Sequence, residues 1–181
     1  IVELLATRPG NENYEDAPSQ TIRFEIAKAQ QQISWAEIPD QLFGVDALSL
    51  QATSSAGLPV SYEVLAGNAS IDNNRLRIDG AGSVELQAIQ PGDDDYEAAP
   101  TVEQTINVAK APQTLFFDEI FDQEYSEEPL TLEVSSDAGL PVTFTIVEGP
   151  ARIEDGNQLI MEGEGEVTVE AVQAGNNNYL A

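Results

Sequence analysis

Cysteine and histidine are both absent from the 181 residues. Without them there is no Ser-His-Asp or Cys-His triad, no zinc site of the usual kind and no disulfide staple. Only carboxylate chemistry stays open for catalysis. Basic residues are scarce, with 7 Lys plus Arg against 32 Asp plus Glu and a formal net charge of −25. That excess repels nucleic-acid phosphates and anionic lipid headgroups, so no nucleic acid is expected as a partner. No run of about 18 apolar residues occurs, so no direct membrane insertion is expected. Ile1 stands where a start Met or a signal peptide would be, and the expectation is a piece cut from something longer. What is present, 41% apolar residues, is enough for a packed core.

An internal repeat dominates what is there. Ala56-Gly57-Leu58-Pro59-Val60 returns 82 residues later as Ala138-Gly139-Leu140-Pro141-Val142. Ile38 with Ile120, Asp40 with Asp122, Phe43 with Tyr125 and Leu50 with Leu132 hold the same register. One extra residue near Asp155-Gly156-Asn157 shifts the offset to 83, after which Gly82-Ser83-Val84 aligns with Gly165-Glu166-Val167. Val2-Glu3-Leu4 matches Val84-Glu85-Leu86, and Tyr14, Tyr96 and Tyr179 each close a Gly-x-x-x-Tyr element. The expected organisation is therefore 1–29 as the C-terminal strands of a preceding repeat, 30–111 as one complete repeat, and 112–181 as a repeat without its last strand.

Within 30–111, apolar residues alternate with polar ones over short stretches, the mark of strands with one buried face. Ile33 and Trp35, Leu48 to Ala52, Val60 to Val64, Ala69 and Ile71, Leu76 and Ile78, Val84 to Ala88, and Ile106 and Val108 give about seven strands. Ala56-Gly57-Leu58-Pro59, Asp72-Asn73-Asn74, Asp79-Gly80-Ala81-Gly82 and Pro91-Gly92-Asp93 supply the turns. The pattern predicts an all-β chain of tandem Ig-like antiparallel β-sandwich domains of about 82 residues each. Leu50, Val64, Leu86 and Ile106 are the predicted inward-facing residues, and Trp35 and Phe117 the largest candidate plugs between sheets.

The Ile38-Pro39-Asp40-x-x-Phe43-Gly44 start, the Ala-Gly-Leu-Pro-Val turn, the Gly80-x-Gly82-x-Val84 strand and the Gly-x-x-x-Tyr end resemble the MBG-type bacterial Ig-like repeats. The likeness covers both repeats and the N-terminal tail. It implies an extracellular place, secreted or on the bacterial cell surface, in long adhesins whose stalks string many such units together. Two departures stand out. Phe121 replaces the family's Pro, and Ser126-Glu127-Glu128 replaces Gly44-Val45-Asp46, so that loop is not a site shared by every repeat.

Asp93-Asp94-Asp95 is the candidate metal motif, because three loop carboxylates offer the oxygen ligands that Ca²⁺ takes. Its counterparts, Asn11-Glu12-Asn13 and Asn176-Asn177-Asn178, carry at most one acid, and a solvated turn in which Asx residues bond their own backbone explains all three copies. Tyr14, Tyr96 and Tyr179 resemble the tyrosine corner of Ig folds, a structural role. Residues 112–181 hold 15 acids and one Arg. There Asp118, Glu119, Asp122, Glu124, Glu127 and Glu128 read as a solvated face, with a cation site as the alternative. Phe43, Tyr125 and Phe116 are the candidate binding aromatics for a surface glycan or protein. Glycoside hydrolysis needs two acids roughly 5–9.5 Å apart in a cleft, and no such pair recurs, so no enzyme is expected. The short linkers Ala27-Lys28-Ala29-Gln30-Gln31 and Ala109-Lys110-Ala111-Pro112-Gln113 predict a limited range of angles between repeats.

These readings converge on a structural stalk segment of a bacterial surface adhesin or extracellular filament, needing no cofactor, whose partners are adjacent repeats of the same or a neighbouring chain. The alternatives are a glycan- or protein-binding module, a Ca²⁺-rigidified stalk, and a subunit polymerising by strand exchange.

Overall fold

The computed structural model describes residues 1–181 and is all β, without helix. Its strands are β1 (Val2–Arg8), β2 (Ala17–Phe24), β3 (Ile33–Trp35), β4 (Gln41–Leu42), β5 (Leu48–Ser49) and β6 (Ala52–Ser54). There follow β7 (Ser61–Ala66), β8 (Ala69–Asp72), β9 (Arg75–Ile78), β10 (Gly82–Ile89), β11 (Val102–Ala109) and β12 (Leu115–Phe117). The last are β13 (Leu130–Thr131), β14 (Val134–Ser136), β15 (Thr143–Glu148), β16 (Ala151–Glu154), β17 (Gln158–Met161) and β18 (Thr168–Val172). Most of the alternation read from 30–111 falls on strands, but Val60 precedes β7, the stretch from Leu48 to Ala52 breaks into β5 and β6 with Leu50 between them, and β4 is an addition. No helix is long and apolar enough to cross a membrane.

The chain separates into two compact units, the first made of Ile1–Ala36, Gln51–Tyr62 and Ala88–Val102. In it β1 and β2 form an antiparallel hairpin, with Val2 opposite Phe24 and Leu4 opposite Ile22. Apart from half-buried Val2, every residue of these two strands is exposed. Strand β3 pairs antiparallel with β6, Trp35 lying opposite Ala52. The half-buried Trp35 ring packs on Tyr62 at a centroid distance of 5.4 Å, and Tyr62 OH accepts the Ala52 N–H.

The second unit is made of Glu37–Leu50, Glu63–Gln87 and Glu103–Ala181. Residues 63–66, 82–87 and 103–109 belong to a four-stranded sheet of order β4-β11-β10-β7, and β5, β9 and β8 form an antiparallel three-stranded sheet. Leu76, Val84, Leu86 and Ile106 are wholly buried, and Leu50 and Val108 nearly so. Burying a Val, Leu or Ile side chain is worth about 1.5–3 kcal/mol, so these six residues anchor this part of the unit. Val64 is only half-buried, because β7 lies at the edge of its sheet. Gly67, at φ 100°, permits close approach to Ser83 O, where a Cβ would collide. One pairing departs from the antiparallel expectation: β4 runs parallel to β11.

The same unit contains the strands of residues 112–181: β12 with β14, the order β13-β17-β16, and the pair β15-β18. Its core is smaller. Leu132, Ala151 and Leu159 are buried, while Phe144, Ile146, Met161, Val167 and Val169 pack against them only partly covered. Phe117, expected as a plug, touches Phe144 at a centroid distance of 6.0 Å and keeps 41% exposure.

Candidate functional site

Three Gly-x-x-x-Tyr turns share one hydrogen-bond pattern. Asp93 Oδ1 accepts the N–H of Asp95 at 2.9 Å and of Tyr96 at 2.8 Å. Asn176 Oδ1 accepts those of Asn178 and Tyr179, and Asn11 Oδ1 those of Asn13 and Tyr14. Asn and Asp serve this turn equally because each offers a short side-chain oxygen to the backbone two and three residues on. The preceding glycine is required by space: a Cβ on Gly10, Gly92 or Gly175 would strike the carbonyl of Tyr14, Tyr96 or Tyr179. Asp94 and Asp95 are exposed, and no three acidic side chains of the chain gather closely enough to hold a metal ion.

Each of the last two turns grips the linker that enters its own repeat. Lys28 Nζ donates to Asp93 O, Ala29 N–H donates to Asp95 O, and Glu97 N–H donates to Ala29 O. At the next linker Lys110 Nζ donates to Asn176 O, Ala111 N–H to Asn178 O and Leu180 N–H to Ala111 O. The bridges Ala29–Tyr96 and Ala111–Tyr179 are both parallel. The Tyr179 ring meets Phe43 edge-on at 5.5 Å, and Asn178 Oδ1 accepts the Ala81 N–H, so this turn also touches residues of 30–111 within the same unit. Tyr14, by contrast, is 76% exposed.

A second closure lies along β4 and β11. Gln41 stands opposite Val108 and Leu42 opposite Ala109. Phe43 N–H donates to Ala109 O, Asn107 N–H donates to Asp40 Oδ1, and Ile38 N–H donates to Gln104 Oε1, each at 2.9 Å. The opening segment of 30–111 is thus tied to its closing strand, with both running in the same direction.

The three candidate binding aromatics do not converge. Phe43 is half-buried against Tyr179, while Phe116 and Tyr125 are 56% and 60% exposed and line different grooves. Tyr125 borders a groove of about 580 Å³ shared with Asp118, Glu119 and Asp122. Arg152, the one basic residue of 112–181, binds Glu154 and Glu162, and these hydrogen bonds raise its pKa above the ordinary guanidinium value.

Sequence reading missed a polar network beneath each linker. Buried Gln31 donates through Nε2 to Gln90 Oε1 and Glu97 O and accepts from Ser54 Oγ, while Gly92 N–H donates to Gln90 Oε1. Gln113, Gln173, Leu180, Ser136 and Gly175 repeat the arrangement. The signal was present: Gln31, Ser54 and Gln90 recur as Gln113, Ser136 and Gln173 in the repeat register. No family model matches the chain, and no curated protein matches it either.

Proposed function

We propose that this chain is a load-bearing segment of an extracellular bacterial stalk, built from tandem Ig-like repeats and without chemistry of its own. The observation that carries this reading is the parallel pairing of β4 with β11. Tension applied to the two ends of 30–111 draws parallel strands past one another, so their bonds bear the load together rather than opening singly. The linker grips add to this: Lys28 and Lys110 repeat the same contact one repeat apart, as they must if force is to pass from unit to unit. The reading takes the likeness to MBG-type repeats as its ground for a bacterial surface adhesin or filament.

Single-molecule pulling of the chain between terminal handles tests it. An abrupt event releasing about 250–290 Å of contour, the length of some 82 residues at up to about 3.6 Å each, supports a mechanically resistant repeat. Extension without an abrupt event opposes it.

A further inference from the structure

Asn178 is bonded in two directions at once. Its backbone O accepts the N–H of Ala111, within the linker, while its Oδ1 accepts the N–H of Ala81, in the turn between β9 and β10, at 3.0 Å. Tyr179 does by packing what Asn178 does by hydrogen bonding, because its ring stands edge-on to Phe43 at 5.5 Å. All five of these residues belong to one compact unit.

The residues that receive the turn are themselves held. Phe43 follows β4, and its N–H donates to Ala109 O at the end of β11. The turn presenting Ala81 is closed by Asp79 and Gly80, whose N–H groups both donate to Asn68 O. On the other side, Asn176 Oδ1 accepts the N–H groups of Asn178 and Tyr179, and Lys110 Nζ donates to Asn176 O. The contacts form a closed ring. It runs from Ala109 along the chain to Ala111, across to Asn178 and Tyr179, and back through Phe43 to Ala109.

A short linker is a single attachment, and two bodies joined only in that way move relative to one another by default. Phe43 and Ala81 add two attachments away from the linker. Three separate points fix the orientation of one body on another. We propose that Asn178 and Tyr179 lock the joint, setting the angle between 112–181 and the part of 30–111 that shares its unit. Without them only the linker sets that angle. Tyr179 acts here through its ring, a role distinct from the hydroxyl contact of a tyrosine corner. The lock concerns orientation and holds whether or not 30–111 resists tension, so it goes beyond the stalk reading and either can fail without the other.

The distance between two spin labels on the full chain tests the proposal. Glu63→Cys and Thr145→Cys place them at equivalent exposed positions of β7 and β15, in a chain with no other cysteine. The expected result is one narrow distribution of distances. Phe43→Ala and Tyr179→Ala should each widen it about twofold or more, since motion is the default once an interface is lost. The two together should widen it no further than either alone, because each removes the same contact. Tyr179→Phe, which keeps the ring, should leave it narrow. A second pair within 112–181, Glu133→Cys with Thr145→Cys, should stay narrow in Phe43→Ala. A broad distribution in the chain with both aromatic residues intact would overturn the proposal, as would a width that neither alanine substitution changes. Widening of the second pair in Phe43→Ala would also overturn it, since the contact would then support the repeat and not the joint.

Discussion

Leu86 and Val169 hold the same place in successive repeats and have different surroundings. Leu86 is wholly enclosed, while Val169 borders an open groove. Leu86→Ala should cost about 2–5 kcal/mol in a urea melt, and Val169→Ala less than about 1.5, because the second site leaves no closed cavity. Equal losses would mean that the groove is filled in solution. The alternation of the sequence placed Leu50, Leu86 and Ile106 correctly, since one-sided burial imposes a period of two. It overrated Val64, because periodicity reports which face a residue occupies and not whether its strand has a neighbour on both edges. Gln31 escaped notice for a related reason: a glutamine in an apolar pattern looks exposed until Ser54, Gln90 and Glu97 are brought around it by pairings distant in sequence.

Among the elements, the strands and turns of 30–111 were legible because each carries its own signal in alternation or in Gly, Pro, Asn and Asp. The Asx turn at 93–96 was legible for the same reason, and its three copies narrowed the choice between Asn and Asp chemistry. β4 was not, because two residues are too few to show a period and its partner lies in β11, more than sixty residues on. That partnership also explains why 123–124 form no strand although they align with β4. Asp40 reinforces it by accepting the Asn107 N–H. Asp40→Ala should cost about 0.5–1.5 kcal/mol, the usual net worth of one hydrogen bond, and should lower the rupture force in pulling. An unchanged rupture force would place the resistance elsewhere in the repeat.

At the scale of the whole molecule, 32 acidic residues against 7 basic ones make the surface repel itself. Melting temperatures in EDTA and in millimolar Ca²⁺ should nearly agree, because the Asx turns use their side-chain oxygens on their own backbone. A rise above about 8 °C with Ca²⁺ would mean several kcal/mol of linked binding and would favour the calcium-rigidified stalk. The central claim is that the direction of β4 and β11 makes the repeat resist tension along the chain. It is tested most directly by pulling 30–111 along two axes within the full chain, using cysteine pairs in a protein that has none of its own. Handles at Gln30→Cys and Ala111→Cys load β4 against β11 in shear. Handles at Ser70→Cys and Arg77→Cys, opposite one another in the β8–β9 hairpin, open antiparallel bonds one at a time. At one loading rate the first geometry should rupture at the higher force, and equal or reversed forces would contradict the account.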